Sequence, residues 1–197
     1  MELRVATSAD AAGIAEIYAP IVMATPTSFE IEPPDEREME HRLRETLRIY
    51  PWLVCVEGGR VAGYAYGSRH RARAAYHWSV EVSAYVHPEF QRRGIGRGLY
   101  VSLFEILKAQ GFFNAYAGIT LPNAASVGLH EAVGFQPVGV YRNIGYKLGA
   151  WHDVGWWQLA LQPAREPSAP LSLDAVRHDP AWPRMLAAGA PHIREKS

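Results

Sequence analysis

The sequence predicts a mixed α/β domain with a central, mostly antiparallel sheet flanked by helices. Three observations carry this expectation. Apolar residues alternate in some segments and recur at helical spacing in others, and the two kinds interleave along the chain. Glu57-Gly58-Gly59 joins two adjoining apolar runs as a hairpin turn would. At Val86 an apolar strand runs through a glycine-bearing turn into a helix.

In order, Leu3-Arg4-Val5 alternates as a short first strand, and Thr7 or Ser8 caps a helix to about Val22 with Ile14, Ile17, Tyr18 and Ile21 on one face. Residues 25–34 form a polar loop that carries Phe29. Asp35 opens a second helix in which Met39, Leu43 and Leu47 share a face, and Pro51 ends it. Strands follow over 52–56 and 60–67, then a basic loop over 69–75 and a long strand over 76–86. A helix over 96–109 turns Leu99, Leu103, Ile106 and Leu107 inward and stops at Gly111. After a strand over 115–120, Asn123 caps a short helix that Gly134 terminates. Two last strands fall near 135–141 and 154–161. Residues 1–163 make up the domain. From 164 to 197 the chain is a tail broken by Pro167, Pro170, Pro180, Pro183 and Pro191, partly ordered or laid along the surface.

The 197 residues are 48% apolar, enough for one real core. Lysine plus arginine and aspartate plus glutamate number 20 each, so no net field draws the chain to nucleic acid or anionic lipid. The single cysteine, Cys55, lies in the apolar run 52–56 and reads as a buried thiol. No apolar run approaches membrane-spanning length, and Met1-Glu2-Leu3-Arg4 lacks a signal core. The expectation is a cytoplasmic protein. The eight histidines show no metal-ligand spacing, so no metal is expected.

The most informative stretch is Gln91-Arg92-Arg93-Gly94-Ile95-Gly96-Arg97, directly after the strand ending Ala84-Tyr85-Val86. It places bare backbone N–H groups at a helix N-terminus, an anion site suited to a pyrophosphate. Gly94 and Gly96 permit close approach of the main chain, and Arg92, Arg93 and Arg97 add positive charge. It is neither a Walker loop, having no Gly-Lys-Ser/Thr, nor a dinucleotide fingerprint, having Leu99 where the third glycine belongs.

That loop resembles the acetyl-CoA loop of the GNAT acetyltransferase superfamily. Further blocks narrow the likeness: Tyr50-Pro51-Trp52, Ala75-Tyr76-x-Trp78, Glu81, Leu121-Pro122-Asn123, His130-Glu131-Ala132 and Trp151-His152-Asp153-Val154-Gly155. Over residues 2–162 the chain is similar to the branch of phosphinothricin and methionine sulfoximine/sulfone acetyltransferases. The resemblance implies a GNAT fold whose strand before the loop carries a bulge and splays from its neighbour. It implies acetyl-CoA as donor, a small amino-acid-like amine as acceptor and a homodimer. It places Ala84, Tyr85 and Val86 against the pantetheine arm, the 91–97 loop on the pyrophosphate, and Asn123 in contact with the cofactor; Asn123 is also a plain helix cap, and both roles can coexist.

Glu81 is the first candidate base. Its sequence neighbours Trp78, Val80, Val82 and Tyr85 are apolar, and apolar surroundings favour a carboxylate that accepts protons near neutrality. The alternative is a rim carboxylate paired with an arginine. His130, which matches the family's catalytic histidine, titrates in a useful range and is expected to share the deprotonation. Arg71, Arg73 and Tyr76 occupy the loop where the family binds the acceptor's anionic group, with Arg71 where lysine is common; Phe29 walls the pocket. His77 stands where relatives commonly carry an acid. His152 and Asp153, adjacent on a strand, point to opposite faces and read as mainly structural. Trp151, Trp156 and Trp157 suit either an interface or the core. Readings as an idle acetyl-CoA-binding module or as an acetyltransferase of a protein amine stand beside the leading one.

Overall fold

The computed structural model describes residues 1–195. Seven strands form one sheet: β1 (Glu2–Val5), β2 (Trp52–Glu57), β3 (Arg60–Arg69), β4 (Ser79–Val86), β5 (Asn114–Leu121), β6 (Gln136–Lys147) and β7 (Ala150–Ala160), in the order β1-β2-β3-β4-β5-β7-β6. Every pair is antiparallel except β4 with β5. Period-2 alternation gives each strand two faces, and helices cover both. One layer is α1 (Ala11–Ala24) and α2 (Glu36–Leu47), packed on Trp52, Val54 and Tyr64. The other is α3 (Ile95–Gln110) and α4 (Ala124–Ala132), packed on Leu53, Val80, Val82, Ala115 and Ala117. Asp35 caps α2 by accepting from the Glu38 N–H at 2.8 Å, and Leu99, Leu103, Ile106 and Leu107 of α3 are fully buried, as their spacing predicts.

Three expectations need correction. The proline-rich segment is not confined to the surface: α5 (Leu173–Arg177) and α6 (Trp182–Ala187) lie between the prolines, and Leu173, Val176 and Met185 join the core beside α3. Pro183 sits in the first turn of α6, where the missing N–H has no partner to lose. The last hairpin is longer than expected, because Asn143 at φ 49° forms an irregularity in β6 and not its end. Third, β4 runs in unbroken register along β3 from Val80 to Val86, so it carries no bulge against that neighbour.

What positions the site is the seam between β4 and β5. Their pairing covers only Ser79 to Glu81 against Asn114 to Tyr116, although both strands continue, to Val86 and Leu121. Beyond Glu81 the strands part, and the backbone of β4 on that side is left for something other than β5. Among the described residues no helix is long and apolar enough to cross a membrane, and no group of three potential metal ligands converges.

Candidate active site

The parted strands enclose a narrow cleft lined by Ser83, Ala84, Tyr85, Gly118, Asn123 and His130, among others. Thus Ala84, Tyr85, Asn123 and His130, far apart in sequence, meet there. Asn123 Oδ1 accepts from the Ser126 N–H at 3.0 Å, which caps α4. Its amide N–H groups stay available to a ligand, so the two roles expected of it are compatible.

The loop 91–97 opens at one end of this seam. Arg92 (φ 62°) and Gly94 (φ 77°) both adopt the left-handed conformation, on either side of Arg93. Alternation of this kind turns successive N–H groups toward one concavity that suits an anion. Gly94 caps α3 with no side-chain oxygen, so the first-turn N–H groups of Ile95, Gly96 and Arg97 have no intrahelical or cap partner. Gln91, Arg92 and Arg97 are exposed. Arg93 departs from expectation: its guanidinium grips both carboxylate oxygens of Glu57, at 2.6 and 2.8 Å, and is not free to face a ligand. It anchors the loop from behind.

Glu81 lies where β4 and β5 stop pairing, on the face opposite Val80 and Val82. Its surroundings are therefore polar and aromatic, not apolar as its sequence neighbours suggest. Glu81 Oε1 lies 3.0 Å from His70 Nδ1 and accepts from Arg71 Nη1 at 3.2 Å. His70 stacks on Tyr116 with ring centroids 4.4 Å apart, and Trp156 stands edge-on at 5.9 Å. The Arg71 guanidinium also lies over Trp156 at 5.3 Å. Tyr76 is exposed and meets His70 edge-on at 6.1 Å. Arg73, also exposed, begins the turn that carries Tyr76. Phe29 packs over the backbone of Gly145 and lies 6.4 Å from His152. Its loop is stapled to the last hairpin by buried Lys147, whose Nζ donates to the carbonyls of Val22 and Ser28, each at 2.6 Å. His152 bonds the Lys147 carbonyl and Asp153 accepts from the Asn143 N–H.

His130 is buried on the α3 side. Its Nδ1 lies 2.7 Å from the Ser126 carbonyl, which only accepts, so Nδ1 carries the proton. Nε2 then accepts from the Tyr100 hydroxyl at 2.8 Å. Burial lowers the imidazole's proton affinity, against a smaller opposing effect of the Ser126 bond. Burial raises the pKa of the Tyr100 phenol, which is therefore neutral. His130 Nε2 is thus already bonded to a phenol, so His130 and Tyr100, both lining the cleft, form a unit.

Sequence reasoning missed Tyr100, His70, Tyr116 and Trp156. A signal existed for Tyr100: a tyrosine beside the inward row of α3 needs a partner for its buried hydroxyl. The other three are assembled by strand register, which local sequence does not reveal.

A sheet parted beside its parallel pair, with a glycine-cradled helix terminus at the parting, defines a mixed α/β protein with an anion-suited cleft. Residues 3–156 match the family model described as "Acetyltransferase (GNAT) domain", and the chain belongs to that family. It is 44% identical over 158 residues to the phosphinothricin N-acetyltransferase of Streptomyces viridochromogenes, covering 80% of this chain and 86% of that protein. It is 36% identical over 171 residues to the L-methionine sulfoximine/L-methionine sulfone acetyltransferase of Salmonella typhimurium, covering 86% and 99%. Among solved structures, a GNAT superfamily phosphinothricin acetyltransferase from Sinorhizobium meliloti in complex with acetyl-CoA superposes with a TM-score of 0.79 at 34% identity, over 87% of this chain and 97% of that one. The protein is an N-acetyltransferase that uses acetyl-CoA.

Proposed function

We propose that the enzyme acetylates the amino group of a small amino acid or analogue, such as phosphinothricin, methionine sulfoximine or methionine sulfone. One observation carries this reading. At the point where the seam opens, a partly exposed carboxylate (Glu81) and an exposed guanidinium (Arg71) stand together beside His70, Tyr116 and Trp156. An amino acid presents the matching pair, an ammonium for the carboxylate and an anionic group for the guanidinium. The names of the relatives from Streptomyces and Salmonella support the substrate class.

The residues divide the chemistry as follows. The N–H groups of Arg92 to Arg97 bind the pyrophosphate, and the β4 backbone at Ala84, Tyr85 and Val86, freed by the parting from β5, binds the pantetheine arm and thioester. Asn123 adds its amide N–H groups. Arg71, with Arg73 and Tyr76 at the rim and Phe29 as wall, holds the acceptor. Glu81 takes a proton from the ammonium, directly or through water, and the freed amine attacks the thioester carbonyl. The C–N bond forms, the C–S bond breaks, and the nitrogen sheds a second proton. His130, acting through the Tyr100 hydroxyl, moves protons on the donor side, where the departing thiolate takes one up. One proton is released overall. General acid–base assistance of this kind contributes roughly 10²–10⁴-fold. The carboxylate also neutralises Arg71 when no acceptor is bound, and an acceptor's anion takes over that partnership and leaves Glu81 to the ammonium.

Thiol release from acetyl-CoA, followed across phosphinothricin, methionine sulfoximine, methionine sulfone, the common amino acids and a lysine peptide, tests the reading. Fast release with a small amino-acid analogue is expected. A lysine peptide outrunning all of them would overturn it in favour of a protein acceptor, and silence with acetyl-CoA still bound would favour an idle binding module. We further infer a cytoplasmic homodimer.

A further inference from the structure

The C-terminal segment lies outside the residues that match the family model, which end at 156. Residues 186–194 nevertheless cross the first turns of α3 and finish on the glycine loop. Ser102 Oγ, in α3, donates to the Leu186 carbonyl at 2.7 Å and accepts from the Gly189 N–H at 3.0 Å. Gly189 and Gly98 meet backbone to backbone: a Cβ on Gly189 would lie 1.8 Å from the Gly98 carbonyl oxygen. The His192 carbonyl oxygen occupies the space of a Cβ on Gly94, 1.9 Å from where that atom would be. One residue further, the Arg194 N–H donates to the Arg93 carbonyl at 2.9 Å, and Arg93 Nε donates back to the Arg194 carbonyl at 3.2 Å.

Arg93 is thus held twice, by its main chain to this segment and by its guanidinium to Glu57 of β2. It is also the residue between the two left-handed positions, Arg92 and Gly94. Left-handed backbone at a non-glycine residue such as Arg92 is disfavoured and persists only where the surroundings fix it. Fixing the Arg93 carbonyl sets the Arg93–Gly94 peptide plane, and with it the direction of the Gly94 N–H at the start of α3. A cradle already fixed before its ligand arrives loses less freedom on binding.

We propose that residues 186–194 form a strap that positions the Arg92–Arg97 loop for the pyrophosphate of acetyl-CoA. The proposal rests on the reading of that loop as the pyrophosphate site. Gly94, Gly98 and Gly189 are then glycines because the strap lies against the helix and loop with no room for side chains.

The test compares two full-length variants, R194A and R194P, with two donors, acetyl-CoA and S-acetylpantetheine, the second lacking the pyrophosphate and nucleotide. R194A keeps the backbone N–H and R194P removes it. Ile193 (φ −95°, ψ 132°) already has the conformation that precedes proline. The expected result is a KM for acetyl-CoA about tenfold higher in R194P than in R194A, the equivalent of one lost hydrogen bond. The KM for S-acetylpantetheine and for the acceptor should match between the two. Equal acetyl-CoA KM values in R194P and R194A would overturn the strap. Wild-type enzyme using both donors with the same KM would instead overturn the reading of the loop. Gly189→Ala lifts the strap from the α3 side and should give the same donor-selective rise; an equal rise with both donors would mean a general loss of structure and contradict a positioning role.

Discussion

Glu81 and His130 lie on opposite faces of the sheet, and each is conditioned by neighbours in space, not in sequence. The apolar setting expected around Glu81 came from Val80 and Val82, yet strand alternation turns those two to the α3 core and leaves Glu81 with His70, Arg71 and Tyr116. His130 occupies the buried setting instead. Because burial holds its pKa below the ordinary histidine value, the unfolded chain binds more protons at this site than the folded one just below pH 6.5. Stability therefore falls as pH drops through that region, with a slope of at most about 1.4 kcal/mol per pH unit. Asp10 and Glu30 have lowered pKa values and retain their contributions until the pH nears about 4, so they do not obscure the window. Urea unfolding between pH 7 and pH 5 should show this loss in the wild type and a flatter profile in His130→Gln. Identical profiles would place the proton uptake elsewhere.

Most elements were legible because periodicity and punctuation agreed: Asp35 before α2, Gly111 after α3 and Asn123 before α4 all act as the sequence indicates. Two of the misreadings share one cause, that a breaker residue does not always break. Asn143 is absorbed as an irregularity in β6, and the prolines after 163 punctuate short helices whose apolar residues reach the core. Likewise the glycine spacing of the loop was legible in the sequence, whereas His70, Tyr116 and Trp156 come together only through the register of β4, β5 and β7. The tryptophans expected at an interface also sort by element. Trp157 is core, Trp156 packs over Gly118, and Trp151 alone is well exposed. It belongs to the last hairpin, whose β6 is an open sheet edge bearing exposed Val138, Tyr141, Ile144 and Tyr146. An apolar edge strand of this length pairs readily with another chain. Light scattering should give twice the 21.9 kDa chain mass, and Ile144→Glu should shift it toward one chain. A monomeric wild type at working concentration would dispose of the homodimer.

At the scale of the whole molecule, the sheet works as a partition with one opening. The donor loop and the strap sit with α3, and the Tyr100–His130 pair sits between α3 and α4. Glu81, Arg71 and the aromatic residues beside them lie on the other face, with the α1–α2 loop fixed beside them by Lys147. The two sides meet at the gap that opens after Glu81, where β4 and β5 cease to pair. Transfer across that gap, with Glu81 as the base, is the central claim. Its most direct test is Glu81→Gln, assayed for thiol release with saturating methionine sulfone and, separately, for acetyl-CoA binding by calorimetry. The expected result is unchanged acetyl-CoA affinity with turnover reduced about 10²–10⁴-fold. Turnover at the wild-type rate would contradict the account, because the proton would then leave the acceptor by a route that does not involve Glu81.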